Sequence, residues 1–95
     1  MIVGIDIGGT TTKIVGQSDS GEWIKTTVKA SDPVASAAGA IGKFLSVAGK
    51  KITDIEKLAV TGVGSSFLDS DILGIEAVQV DEFHAIGLGL SLIHI

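Results

Sequence analysis

The sequence predicts an α/β domain whose mixed sheet begins as three antiparallel strands and then alternates helix with strand. Three observations carry that expectation. Two runs rich in β-branched residues, Val3–Ile7 and Thr10–Val15, are separated only by Gly8-Gly9. Asp32-Pro33 then opens an apolar stripe at helical spacing. Two later apolar runs, Lys57–Thr61 and Glu76–Val80, are each followed by polar or glycine-rich residues, the pattern of strands alternating with helices.

Taken in order, the first two runs read as strand, tight turn, strand. Gln17–Glu22 is polar, contains Gly21 and reads as a second turn. Trp23–Lys29 alternates apolar and polar residues, a third strand, with Trp23 packing at the sheet edge rather than stacking on a ligand. Asp32 is placed to cap a helix and Pro33 to occupy its first position. Val34, Ala37, Ala38, Ile41, Phe44, Leu45 and Ala48 give that helix one buried stripe, and Gly49-Lys50-Lys51 closes it. Gly39 and Gly42 each weaken a helix by about 1 kcal/mol against Ala, so the expectation is that they admit close packing on the sheet. Lys57–Thr61 is a buried strand running into Gly62-Val63-Gly64-Ser65-Ser66, a loop where open α/β sheets place ligands but also compatible with a plain connection. Phe67–Leu73 reads as a short helix or irregular segment broken by Gly74. Glu76–Val80 is the last strand, and Asp81 is placed to cap a final helix.

The first turn has a chemical use. Gly8 and Gly9 carry no Cβ, so the backbone can take positive φ and an anion can approach the main-chain N–H groups. Thr10, Thr11 and Thr12 add hydroxyls, and Lys13 adds a positive charge. Asp6 would repel phosphate directly, yet it can hold a hydrated Mg²⁺ that contacts phosphate. An ordinary hairpin turn explains two glycines, but it requires neither the Asp nor the Lys. The expected site is a nucleotide phosphate hairpin formed by Asp6, Gly8, Gly9, Thr10, Thr11 and Lys13. Other phosphate motifs fail: a Rossmann or Walker loop leads into a helix, and Gly39–Phe44 ends in Phe where Ser or Thr is needed.

Composition narrows the classes. The 95 residues amount to one small domain. A hydrophobic content of 45%, 13 glycines, one proline and a mean hydropathy of +0.53 describe a folded chain. Net charge is −4 and all seven basic residues are lysines, paired only at Lys50-Lys51, so no electrostatic footprint for nucleic acid exists. No apolar run has the length of a membrane span, and Met1-Ile2-Val3 lacks a basic leader. There is no cysteine. The expectation is a cytoplasmic protein with neither nucleic-acid nor membrane partners.

Beyond the last strand, Asp81-Glu82-Phe83-His84 presents a second carboxylate for chemistry. By pattern alone Glu82 reads first as a helix-dipole partner. The functional alternative is a general base that takes the proton of an alcohol attacking a γ-phosphate. His84 has no metal-spaced partner and is the weaker candidate.

Gly4-Ile5-Asp6-Ile7-Gly8-Gly9-Thr10 with Lys13 resembles the first phosphate motif of the superfamily that contains acetate and sugar kinases, heat-shock chaperones and actin. Thr61-Gly62-Val63-Gly64-Ser65-Ser66 followed by Val80–Gly89 resembles, more narrowly, bacterial type II pantothenate kinases. That resemblance covers roughly residues 1–90. It implies the N-terminal lobe of a ribonuclease-H-like, actin-like ATPase fold, with strands and helices in the order given above. It also implies ATP and Mg²⁺ at Asp6, Gly8, Gly9, Thr10, Thr11 and Lys13, with Mg²⁺ held by Asp6 through water, and Glu82 as catalytic base. The reaction implied is ATP-dependent phosphorylation of pantothenate to 4′-phosphopantothenate, the entry to coenzyme A synthesis, by a homodimer.

The chain also departs from that family. It has no arginine for the pantothenate carboxylate and no second Gly-Thr-Gly-Thr loop. Residues 1–90 therefore read as a truncated lobe, inactive alone, and 91–95 as a non-native tail with the character of a translated sequencing adapter. Rival readings share the hairpin. Sugar kinases of the repressor type use an Asp base in an Asn-Asp context that is missing here. ATP-dependent activators of 2-hydroxyacyl-CoA dehydratases use cluster-ligating cysteines, also missing here. A non-enzymatic ATP switch lobe is the third rival, with Glu82-Phe83 as the discriminating feature.

Overall fold

In a computed structural model of the chain the backbone is described over residues 1–62, 71–80, 82–86 and 89–93, and side chains over 1–62 and 72–80. β1 (Ile2–Ile7), β2 (Thr11–Gln17) and β3 (Trp23–Lys29) form the antiparallel meander. α1 (Pro33–Ala48) follows, then a 3₁₀ turn at Ile52–Asp54 and β4 (Lys57–Thr61), which pairs parallel with β1. A short β5 (Asp71–Ile72) turns back antiparallel onto β6 (Ile75–Gln79), itself parallel to β4. The sheet order is β3-β2-β1-β4-β6-β5. β7 (Glu82–Ile86) and β8 (Gly89–Ile93) make a separate antiparallel hairpin.

α1 forms where the capping residues predict it. Asp32 Oδ1 accepts hydrogen bonds from the backbone N–H groups of Val34 (3.1 Å) and Ala35 (3.2 Å), satisfying two donors that a helix start leaves open. Gly49 ends the helix with φ 66°, a left-handed conformation that costs glycine little. The helix buries Ala37, Ala40, Ile41 and Phe44 against one face of the sheet. That face carries Val3, Ile5 and Ile7 of β1, Ile14 of β2, and Leu58 and Val60 of β4. Gly16 makes the close approach possible, because a Cβ there would sit 2.5 Å from Phe44 Cζ. Gly39 and Gly42 do not have that role. Both face solvent and an added Cβ would meet nothing.

Two helices expected from the sequence are replaced by strands where residues are described. Of the short helix at Phe67–Leu73, residues 67–70 lie outside the described residues, while Asp71–Ile72 is extended and pairs with Ile75–Glu76. Leu73 (φ 52°) and Gly74 (φ 80°) are both left-handed, the signature of a tight type I′ hairpin turn. The helix expected from Asp81 is instead β7, with Glu82 opposite Ile93 and Phe83 opposite Leu92. Asp81 itself lies outside the described residues. Gly87 and Gly89 are poor helix-interior residues, and an available antiparallel partner decides the local competition in favour of strand. Among the described residues no helix is long and apolar enough to cross a membrane.

Candidate functional site

Because side chains alternate along strands, the register sorts each strand between two faces. On the face away from α1 the ladder runs Thr27 (β3), Lys13 (β2), Asp6 (β1), Thr61 (β4), each the register partner of the next. One row thus crosses four neighbouring strands at about 4.8 Å intervals. Gly4 and Ala59 on this face are buried, whereas Lys13, Lys25, Thr27 and Lys29 are exposed. The face is therefore closed over the middle of β1 and β4 and open over β2 and β3.

Asp6 stands at the carboxyl end of β1, beside the carboxyl end of parallel β4, the end at which open α/β sheets take ligands. Its carboxylate lies close against Gly62. Gly62 has φ 99°, and a Cβ at that position would collide with Asp6 Oδ1 and lie 2.5 Å from Ile7 O and 2.7 Å from Ile7 N. Backbone and carboxylate touch only because residue 62 is glycine. The sequence marked Gly62 as the start of an ambiguous loop, and nothing local in it points to Asp6. The contact is made by the parallel β1–β4 pairing, which spans 55 residues from Asp6 to Thr61.

The β1–β2 turn is Gly8-Gly9-Thr10, closed by a hydrogen bond from Gly8 N–H to Thr11 O at 3.0 Å. Gly8 and Gly9 are not among the positive-φ glycines, so the expected conformational reason for them is corrected. Gly8 is required by proximity, since its Cβ would lie 2.7 Å from Thr11 O. Gly9 is exposed and a Cβ there would meet nothing within 4 Å, so the fold itself does not demand glycine at this position. Thr10 O accepts from Ala30 N–H at 2.9 Å, which pins the end of β3 to the turn. Thr10 is exposed and Thr11 half-buried, and Thr12 points the other way, under α1, fully buried.

Asp6 and Lys13 are register partners on one face, yet no ion pair within 4 Å joins them among the described residues. Their charges remain available to something between or above them. Among the described residues no three His, Cys, Asp or Glu side chains group as a metal cage. A single carboxylate still suits Mg²⁺, which keeps several waters and shares its remaining positions with phosphate oxygens. Glu82 opens β7, shortly after the carboxyl end of β6, where Val80 N–H donates to Val60 O at 2.9 Å. Its backbone therefore lies at the same end of the sheet as Asp6. Val63–Ser66 lies outside the described residues, as do the side chains of Glu82 and His84.

Residues 3–93 match the model of the BadF/BadG/BcrA/BcrD ATPase family. Among solved structures, the activator of the 2-hydroxyisocaproyl-CoA dehydratase from Clostridium difficile with bound ADPNP is similar. It has a TM-score of 0.63 and 23% identity over 82% of this chain and 28% of that one. The (R)-2-hydroxyglutaryl-CoA dehydratase component A of Acidaminococcus fermentans is similar with a TM-score of 0.66 and 26% identity, over 84% of this chain and 30% of that one. Among curated proteins none matches. The chain thus spans less than a third of the length of the structures it resembles. The lobe has the actin-like ATPase fold expected from the hairpin. These two neighbours are a dehydratase activator and a dehydratase component, which fits the rival activator reading, and neither is a pantothenate kinase.

Proposed function

The chain belongs to the BadF/BadG/BcrA/BcrD ATPase family, and from that premise we propose that it forms the phosphate-binding lobe of an ATP-driven activator of an acyl-CoA dehydratase. The observation that carries the reading is the row Lys13–Asp6 beside the open Gly8-Gly9 turn, at the carboxyl ends of two parallel strands. Exposed backbone at Gly9 and the hydroxyls of Thr10 and Thr11 can donate hydrogen bonds to phosphate oxygens, and Lys13 can neutralise their charge. Asp6, close against Gly62, would hold Mg²⁺ through water. When bound, Mg²⁺ would draw charge from the phosphate oxygens. Both neighbours belong to dehydratase systems, one as an activator and one as a component, so the partner proposed here is a protein. The missing cysteines do not weigh against this reading, because ligands can come from the greater part of such a protein that this chain does not span.

A second reading, pantothenate kinase, is supported by one observation, the Glu82-Phe83 pair that follows the Thr61–Ser66 segment. In either reading Glu82 is the proposed proton acceptor, from water in an ATPase and from a hydroxyl in a kinase. The intact protein should release ADP from MgATP without pantothenate, and faster with a 2-hydroxyacyl-CoA dehydratase present. ADP release that depends strictly on pantothenate would replace the activator with the kinase. Glu82→Gln should lower turnover about 10²–10⁴-fold and leave nucleotide affinity unchanged. Near-normal turnover in that variant would remove Glu82 as the base.

A further inference from the structure

The open face holds a second group of charges that the phosphate hairpin does not account for. Register places Lys29 of β3 directly beside Thr11, the first residue after the turn, and places Lys25 beside Val15. Lys13, opposite Thr27, is therefore a diagonal neighbour of both lysines, at about 7–8 Å between Cα atoms. None of the three makes an ion pair within 4 Å among the described residues. Three like charges thus share one exposed surface of a chain whose net charge is −4. Among the described residues the only carboxylate in their row is Asp6, register partner of Lys13 alone, so the cluster still favours an added anion.

The two β3 lysines are not equivalent. Lys29 is adjacent to Ala30, whose N–H is bonded to Thr10 O at 2.9 Å, so the backbone beside Lys29 is tied to the turn. Lys25 stands four residues further from that turn, about two pleat repeats along the strand. By register Lys29 stands across from Thr11, one pleat repeat nearer the turn than Lys13, so a phosphate chain seated over Gly9 on this face meets Lys29 before Lys13.

We propose that Lys29 is a second phosphate-binding cation of the nucleotide site, supplied by β3 in register with Thr11 and diagonal to Lys13. The assignment rests on the phosphate reading of the hairpin. It makes the lobe grip two different phosphates from two strands, so it distinguishes ATP from AMP. The competing explanation is that β3 is an edge strand and its lysines only discourage edge-to-edge pairing. That explanation treats Lys25 and Lys29 alike.

The test is calorimetric titration of the intact protein with MgATP, MgADP and AMP, using Lys13→Ala, Lys25→Ala and Lys29→Ala variants. Thermal unfolding checks that each is folded. Lys29→Ala should weaken MgATP about tenfold or more, change AMP little, and be restored in large part by Lys29→Arg. Lys25→Ala should leave all three ligands unchanged. If Lys29→Ala matches Lys25→Ala while Lys13→Ala weakens MgATP, the edge-guard explanation holds and the proposal falls, with the hairpin reading intact. If Lys13→Ala and Lys29→Ala both bind MgATP normally, or the wild-type protein binds none, the hairpin reading falls and takes this proposal with it.

Discussion

The two faces of β1 and β2 are built from alternate residues of the same short segments, and they obey different rules. Under α1, Val3, Ile5, Ile7 and Ile14 are almost wholly removed from water, and each position is decided by volume and packing. On the other face, Asp6, Thr11 and Lys13 occupy the intervening positions, with Gly9 at the turn, and little in the fold requires those side chains. A residue selected by packing betrays itself by what surrounds it. A residue that packing does not explain calls for another cause, and the cause proposed here is an anion. One strand therefore serves at once as wall and, in the proposed reading, as binding surface, and a one-residue slip would exchange the two.

The largest effects should separate the faces cleanly. Phe44→Ala opens a cavity between α1 and the sheet beside Gly16 and should cost about 3–5 kcal/mol of stability. The folded fraction should bind nucleotide as before, which denaturant titration with and without MgATP can measure. Lys13→Ala should do the reverse. Its side chain is exposed, so stability should move by no more than about 0.5 kcal/mol, while MgATP weakens about 10- to 100-fold. A Lys13→Ala protein that unfolds more easily yet binds normally would break the division between the faces.

The packed face was legible because burial leaves a period in the sequence. β1 to β3, α1 and β4 all stand within a residue or two of the runs that announce them, and Asp32 and Gly49 cap the helix as their types predict. The candidate site was legible only as residue types near one turn. What binds those residues into a row is pairing between distant strands, and Gly62 against Asp6 has no local signature at all. Around Leu73 local reading failed for a different reason. Leucine is a rare choice at positive φ, so the sequence conceals a hairpin turn that Asn or Asp would have advertised. At Glu82–Ile86 a plausible helix cap was overruled by strand pairing, which no local window contains.

A smaller effect tests whether the packed face is as purely apolar in its logic as it looks. Thr12 and Thr26 are buried there, and neither hydroxyl has a hydrogen-bond partner among the described residues. Such a group carries a desolvation penalty of about 1–3 kcal/mol with little in return. Thr12→Val keeps the shape and removes the hydroxyl, so stability should rise by about 1 kcal/mol with nucleotide affinity unchanged. A loss of MgATP affinity in Thr12→Val would show that the covered face also takes part in the site.

The smallest expected effect concerns the outer surface of α1, which belongs to neither face of the sheet. Gly39 and Gly42 are exposed, lie mid-helix at ordinary helical φ, and leave an added Cβ in open space. Glycine there costs backbone entropy on folding and gains no contact in exchange. Replacing either by Ala removes unfolded-state freedom without strain and should raise stability by about 0.4–1 kcal/mol per site. The two positions are i and i+3 neighbours on the helix, so the double variant, measured against the sum of the two single changes, reads any coupling between them. The comparison with Gly16 sharpens the point, since Gly16→Ala drives a methyl into the Phe44 ring and should lose stability from the same chemical change. Equal responses at Gly16 and Gly39 in a denaturant series would mean that α1 does not seat on the sheet through the Gly16–Phe44 contact.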